Sequence, residues 1–148
     1  MFLTIPVLNF TATAVTTTQT PITSVGLDFS SITSNWTGTG SHEGVNRDLD
    51  SKTLTLTNAN VYGNDNSLGD CYGINVPGDT TIILNGNSIV TGGVSTNNSF
   101  GIYGGYGYLN IQGDGSLSVT SCTATNNAYG IYVPFCQVIS IHFFKKSS

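Results

Sequence analysis

At 148 residues the chain has room for one domain, and a repeat protein of this length stacks only about three to five coils. Charged residues make up 8% of it, the net charge is −4 and Arg47 is the only arginine, so there is no basic surface to neutralise phosphates, which argues against a nucleic-acid partner. No apolar stretch approaches the about 20 residues that cross a bilayer, and Thr, Ser, Asn and Gly in place of good helix formers indicate an all-β chain.

From the start, Met1 to Phe10 is mostly apolar and is followed by Ala12-Thr13-Ala14, which has the small-x-small form of a signal-peptide cleavage site. A strand or a disordered Thr-rich arm is the alternative. Val15 to Pro21 reads as a Thr-rich linker closed by proline. Val25 to Leu49 has no counterpart elsewhere in the chain; with Trp36 and the Gly38-Thr39-Gly40 turn it is expected to cover the first coil. Its run from His42 to Asp50 is the densest set of titratable groups, and the place where an active site would be sought. A solvated loop leading into the next strand is the competing reading.

A period then begins. Tyr72-Gly73-Ile74, Phe100-Gly101-Ile102 and Tyr129-Gly130-Ile131 recur 28 and then 29 residues apart, and Thr96 to Tyr103 is nearly duplicated by Thr125 to Tyr132. Leu54-Thr55-Leu56, Ile82-Ile83-Leu84, Leu109-Asn110-Ile111 and Val138 to Ile141 open successive units in the same phase. A third short β-branched run lies between, at Ala59 to Tyr62, Ser88 to Thr91 and Ser116 to Thr120. Turn residues occupy the joints: Asn58 to Asn60, Asn85-Gly86-Asn87, Gly113-Asp114-Gly115, Pro77-Gly78-Asp79 and Gly104-Gly105. Three strands and three corners make one triangular coil. Stacked coils set equivalent strands about 4.8 Å apart in parallel, with Leu54, Leu56, Leu84, Leu109, Ile111, Ile74, Ile102 and Ile131 pointing inward. The predicted fold is a right-handed parallel β-helix, a solenoid with coils of about 28 residues. A sandwich or barrel also gives short strands, but does not predict a repeated octapeptide. Residues 1–24 therefore read as signal-peptide remnant and linker, 25–50 as an N-terminal cap region, and 51–148 as coils.

After Val133 the chain runs through Pro134 to an apolar strand, Val138 to Phe144, closed by Lys145 and Lys146. An uncovered parallel edge there invites end-to-end self-association. It reads as a truncated or altered end of a longer array, with the two lysines as edge protection in the alternative. Cys71, Cys122 and Cys136 lack metal-ligand spacing and are expected to be small buried hydrophobes; a Cys122–Cys136 bridge joins different positions of the repeat.

The segments "SKTLTLTNANVYG", "YGINVPGDTTIILNGNSIVTGG" and "FGIYGGYGYLNIQGDGSLSVT" resemble the repeats of bacterial surface proteins known as carbohydrate-binding-domain proteins, β-helices of the pectate-lyase-like type. The resemblance covers roughly residues 38–133. It implies a secreted or cell-surface module that contacts a polysaccharide or cell-surface glycan, without a cofactor.

Three functions follow. Glycan binding or adhesion needs aromatic faces on a rigid scaffold, and its candidates are Tyr103 and Tyr132 at equivalent repeat positions, Tyr106 and Tyr108 near a turn, and Trp36 in the cap. Equivalent tyrosines on neighbouring coils can instead stack on each other as a stabilising ladder. A passive structural or stalk repeat is the second function. A polysaccharide lyase or glycosidase is the third, needing paired carboxylates or a base beside a cation, with Arg47 and Asp48 the residues to test. Asp79 and Asp114 sit beside glycine and read as turn residues. No residue is assigned a catalytic or metal-binding role.

Overall fold

The computed structural model describes residues 23–66, 68–134 and 139–143. The chain opens with two short strands, β1 (Thr23–Val25) and β2 (Leu27–Asp28), followed by β3 (Trp36–Thr37), a 3-10 turn at Gly40–His42 and β4 (Val45–Asp48). Ten further strands follow: β5 (Thr53–Thr57), β6 (Asn60–Tyr62), β7 (Cys71–Val76), β8 (Thr80–Asn85), β9 (Asn87–Thr91), β10 (Asn98–Gly104), β11 (Leu109–Gly113), β12 (Ser116–Thr120), β13 (Asn127–Tyr132) and β14 (Ile139–Phe143). There is no α-helix among the described residues, and no helix long and apolar enough to cross a membrane.

These strands form three sheets, ordered β1-β6-β9-β12, β2-β7-β10-β13 and β3-β4-β5-β8-β11-β14. From β5 onward successive strands visit the third, first and second sheet and then return to the third. Every pairing in this part is parallel, as the repeat predicts. Leu54 faces Ile82, Ile82 faces Ile111, Val61 faces Val90, Val90 faces Val119, Ile74 faces Ile102 and Ile102 faces Ile131. Alternation turns the columns of the first and third sheets inward, because successive side chains of a strand leave opposite faces. In the second sheet the alternation is interrupted at the glycine of the Tyr-Gly-Ile motif, so that the isoleucine two residues after the aromatic points in. Of the eight residues predicted to line the interior, seven are buried and Ile131 packs against them partly covered.

Corner backbone follows from residue choice. Asn58 and Gly86 have positive φ between the first and second strands of their units, a conformation that Gly and Asn accept at low cost, and Gly113, the last residue of β11, has a positive φ open only to glycine. The recurring glycine of the Tyr-Gly-Ile motif has another cause. A Cβ on Gly101 would lie 2.6 Å from the Gly130 carbonyl oxygen and 2.5 Å from Val119 Cγ1, so only hydrogen fits between the stacked backbones.

Val25 to Leu49, expected to cover the first coil, also adds strands to the sheets. β1 pairs parallel with β6 and β2 with β7, so the first two strands extend the first and second sheets. Self-comparison of the sequence missed them because the inserted β3–β4 hairpin breaks the phase. That hairpin is antiparallel and continues the third sheet beside β5. Phe29 and Trp36 lie edge to face at 5.3 Å and pack on the core.

Candidate functional site

The outer face of the second sheet carries the aromatic side chains. In each Tyr-Gly-Ile unit the isoleucine points in and the aromatic residue out. Tyr72 and Phe100 stack at 5.4 Å with planes 10° apart, and Phe100 and Tyr129 at 5.7 Å with the same tilt. Three residues further on, Tyr103 meets Tyr72 and Phe100 edge on at 5.3 and 5.2 Å. Tyr132 lies 5.8 Å from Tyr103, 5.4 Å from Phe100 and 5.0 Å from Tyr129. Phe100 is only 4% exposed despite standing on the outside of a sheet, because neighbouring rings cover it. Tyr103 and Tyr132 are thus brought together at equivalent positions, in tilted contact with each other and in edge or tilted contact with Phe100, an arrangement of the ladder kind.

The Tyr72 and Tyr103 hydroxyls hold their protons. Burial, followed by the charge of Asp70 and its hydrogen bond at 3.5 Å from the Tyr72 hydroxyl, pushes Tyr72 up to about 12. Burial also raises Tyr103, helped by Tyr106, Tyr132 and Asp70. Both are neutral near pH 7, and Tyr72 donates to Asp70 Oδ2.

Tyr106 and Tyr108 stand on the corner after β10, 72% and 46% exposed. Asp79 of the coil below braces this corner, accepting from the Tyr108 backbone N–H at 3.3 Å and lying 4.0 Å from Lys52 Nζ. That agrees with Asp79 as a turn residue. Trp36, the fifth predicted residue, lies elsewhere, on β3 at the edge of the third sheet, where it touches Phe29 and His42.

A polar column runs beside the aromatic row. Asp70 Oδ1 accepts from Asn97 Nδ2 at 2.7 Å, Asn98 N at 3.1 Å and Asn98 Nδ2 at 2.9 Å. One coil on, Asn126 Nδ2 donates to Asn97 Oδ1, and Asn127 Nδ2 donates to Asn98 Oδ1 at 3.0 Å. The near-duplication of Thr96 to Tyr103 by Thr125 to Tyr132 sets these asparagines at equivalent positions, whereas nothing in that duplication marks Asp70 as the acceptor at the base of the column. Its position, 28 residues before Asn98, was the available signal.

The His42 to Asp50 run separates rather than converges. Asp48 Oδ1 accepts from the Asp50 and Ser51 N–H groups at 3.0 and 3.4 Å, and bonds from Ser51 above all hold its carboxyl below the usual range. This is a turn-capping carboxylate. Arg47, on the alternate face of β4, is buried, and burial lowers its pKa against the opposing effect of Asp48. The pair that a lyase would use is therefore split across two faces.

Cys71 and Cys122 are free thiols. Cys71 is buried, donates to the Val94 carbonyl at 3.0 Å, and is raised chiefly by burial. Cys122 is half-buried, 3.6 Å from the Tyr62 hydroxyl, while Cys136 and any bridge to it lie outside the described residues. No three His, Cys, Asp or Glu among the described residues gather as a metal site. No protein-family model, curated protein or solved structure matches the chain.

Proposed function

We propose that this chain is a right-handed parallel β-helical module of a secreted or cell-surface protein, with a non-enzymatic structural role as a rigid spacer or adhesive repeat. The observation that carries the reading is that outward side chains are used between coils. The aromatic row, the Asp70–asparagine column and the Thr120–Thr91 and Ser116–Asn87 bonds at 3.2 and 2.8 Å all join equivalent positions of neighbouring coils. Strand order and the 28- to 29-residue register support the solenoid, and the handedness follows the general rule for parallel crossovers. Export to the cell surface rests on the resemblance of the repeats. Single-molecule stretching of the full chain between its ends tests the mechanical role: a stack resists as one unit, whereas extension at negligible force contradicts a rigid spacer.

A second reading, glycan binding, is favoured by the exposure of Tyr106 and Tyr108 on a braced corner. Tyr106→Ala with Tyr108→Ala is expected to remove binding to any glycan captured on an array while leaving the circular dichroism unchanged. Capture by the double variant at wild-type level would remove that corner from consideration.

A further inference from the structure

The two ends of the stack are finished differently. At the head, Leu27, Phe29 and Val45 are buried, and Ile32 and Trp36, which line a cleft there, pack against them. At the tail, residues whose counterparts in the inner coils are buried come to the surface. Cys71 and Ser99 are buried while Ala128, next in their column, is exposed; Val119 and Ile131 are only partly covered, where Val61, Val90, Ile74 and Ile102 are sealed. The tail is therefore the surface that each inner coil covers with the next one. β12, β13 and β14 hold no Asp, Glu, Lys or Arg, the side chains that commonly keep an exposed strand edge from pairing, so two such surfaces meet without charge repulsion.

Strand order restricts what can cover this end. The first and second sheets have four strands each and the third has six. Counted from the layer of β5, β6 and β7, the first and second sheets end one layer below, at β1 and β2, and two layers above, at β12 and β13. The third sheet runs one layer further at each end, to β3 below and β14 above. A second copy added head to tail, with its β1 on β12 and its β2 on β13, would bring its β3 and β4 into the layers that β11 and β14 already fill. Two tails meet without that collision. The projecting β14 of each copy enters the layer left open above β12 and β13 of the other, and one shared layer is filled from both sides.

We propose that the tail binds a second copy of this chain, tail to tail about a two-fold axis, with each β14 lying along the free edge of the other copy's β12 or β13 and backbone hydrogen bonds continuing the sheets across the interface. Both copies then cover Val119, Ala128 and Ile131, and the heads point outward. The inference uses the strand order and the exposure of the last coil, and is independent of whether the coils serve as spacer or glycan platform.

Sedimentation velocity of the full chain over about a hundredfold range of concentration is expected to show monomer giving way to dimer and to nothing larger. Ala128→Lys leaves its charge in water in the monomer and buries it in the dimer, so it should weaken dimerisation at least about tenfold with the circular dichroism unchanged. Thr37→Lys, on β3 at the head, should leave the dimer intact. Species that keep growing with concentration overturn the proposal, as does a dimer that Ala128→Lys weakens no more than Thr37→Lys does. A monomer at every concentration, whether its tail is bare or covered by another segment of the chain, overturns it too. Should Ala128→Lys not fold, hydrogen exchange of the wild-type protein decides. Slower exchange of the β12 and β13 amides at dimer-forming concentration, with β1 to β3 unchanged, supports tail-to-tail pairing, and any other pattern excludes it.

Discussion

The inner coils and the last coil are built from nearly the same residues, yet they are held differently. Val61 and Val90 are fully buried while Val119, next in the same column, is partly exposed; Ile74 and Ile102 are fully buried while Ile131 is not. Phe100 is sandwiched between two rings while Tyr129, its repeat equivalent, is 38% exposed. Among the described residues β12 and β13 are the last strands of their sheets. A residue in such a stack draws stability from both neighbours, so one sequence motif has different energetic weight at the centre and at the end.

The largest expected contrast is in the core. Ile102→Ala should cost about 3 kcal/mol, through lost burial and the cavity left behind, and Ile131→Ala about 1, since its surroundings are open enough to collapse. Urea unfolding of the two variants measures this, and equal losses would mean that the last coil is covered by something further.

The motif glycines should diverge next. Gly101→Ala forces a Cβ against two backbone oxygens and Val119 and should cost about 2 kcal/mol, whereas the first atom met by a Cβ on Gly130 is the Val119 oxygen at 3.3 Å, and Gly130→Ala should be close to neutral. Matching denaturation midpoints would show that the close stacking of Gly101 is not what excludes a side chain.

In the polar column, Asp70→Ala strands four donors, the Tyr72 hydroxyl among them, and is expected to cost about 1 to 3 kcal/mol, while Asn127→Ala removes only the terminal link and should cost about 0.5. Thermal melts of the pair sharpen the comparison, and a reversed order would place the strength of the column at its open end.

A smaller effect follows from Tyr72. Its folded pKa of about 12 lies above the ordinary value near 10, so folding favours the protonated phenol. That contribution is complete below pH 10 and is lost as pH rises from 10 towards 12. Denaturant midpoints over this interval should fall less steeply in Tyr72→Phe than in wild type, and identical slopes would sink the assignment.

Least visible in stability, Ser118→Lys puts a charge on the terminal strand β12 and should change unfolding by less than about 0.5 kcal/mol. If copies associate end to end through this edge, the lysine shifts sedimentation towards the monomer. A wild-type protein that is monomeric at every concentration rules that association out.

Much of this architecture was legible in the residues. The 28- to 29-residue recurrence, the Asn and Gly corners and the inward columns are visible because each coil repeats local chemistry that can be compared with itself. Tyr103 and Tyr132 were recognisable as neighbours by the same logic. Only the tertiary structure decided that β1 and β2 extend two sheets, because an inserted hairpin erases the period there. It alone placed Arg47 inward and Asp48 outward, and Trp36 in a cleft apart from the tyrosines, since spacing gives a residue's phase but not the strand that lies beside it. It alone turned the aromatic rings onto each other, because a ring's free face depends on what the next coil presents 5 to 6 Å away.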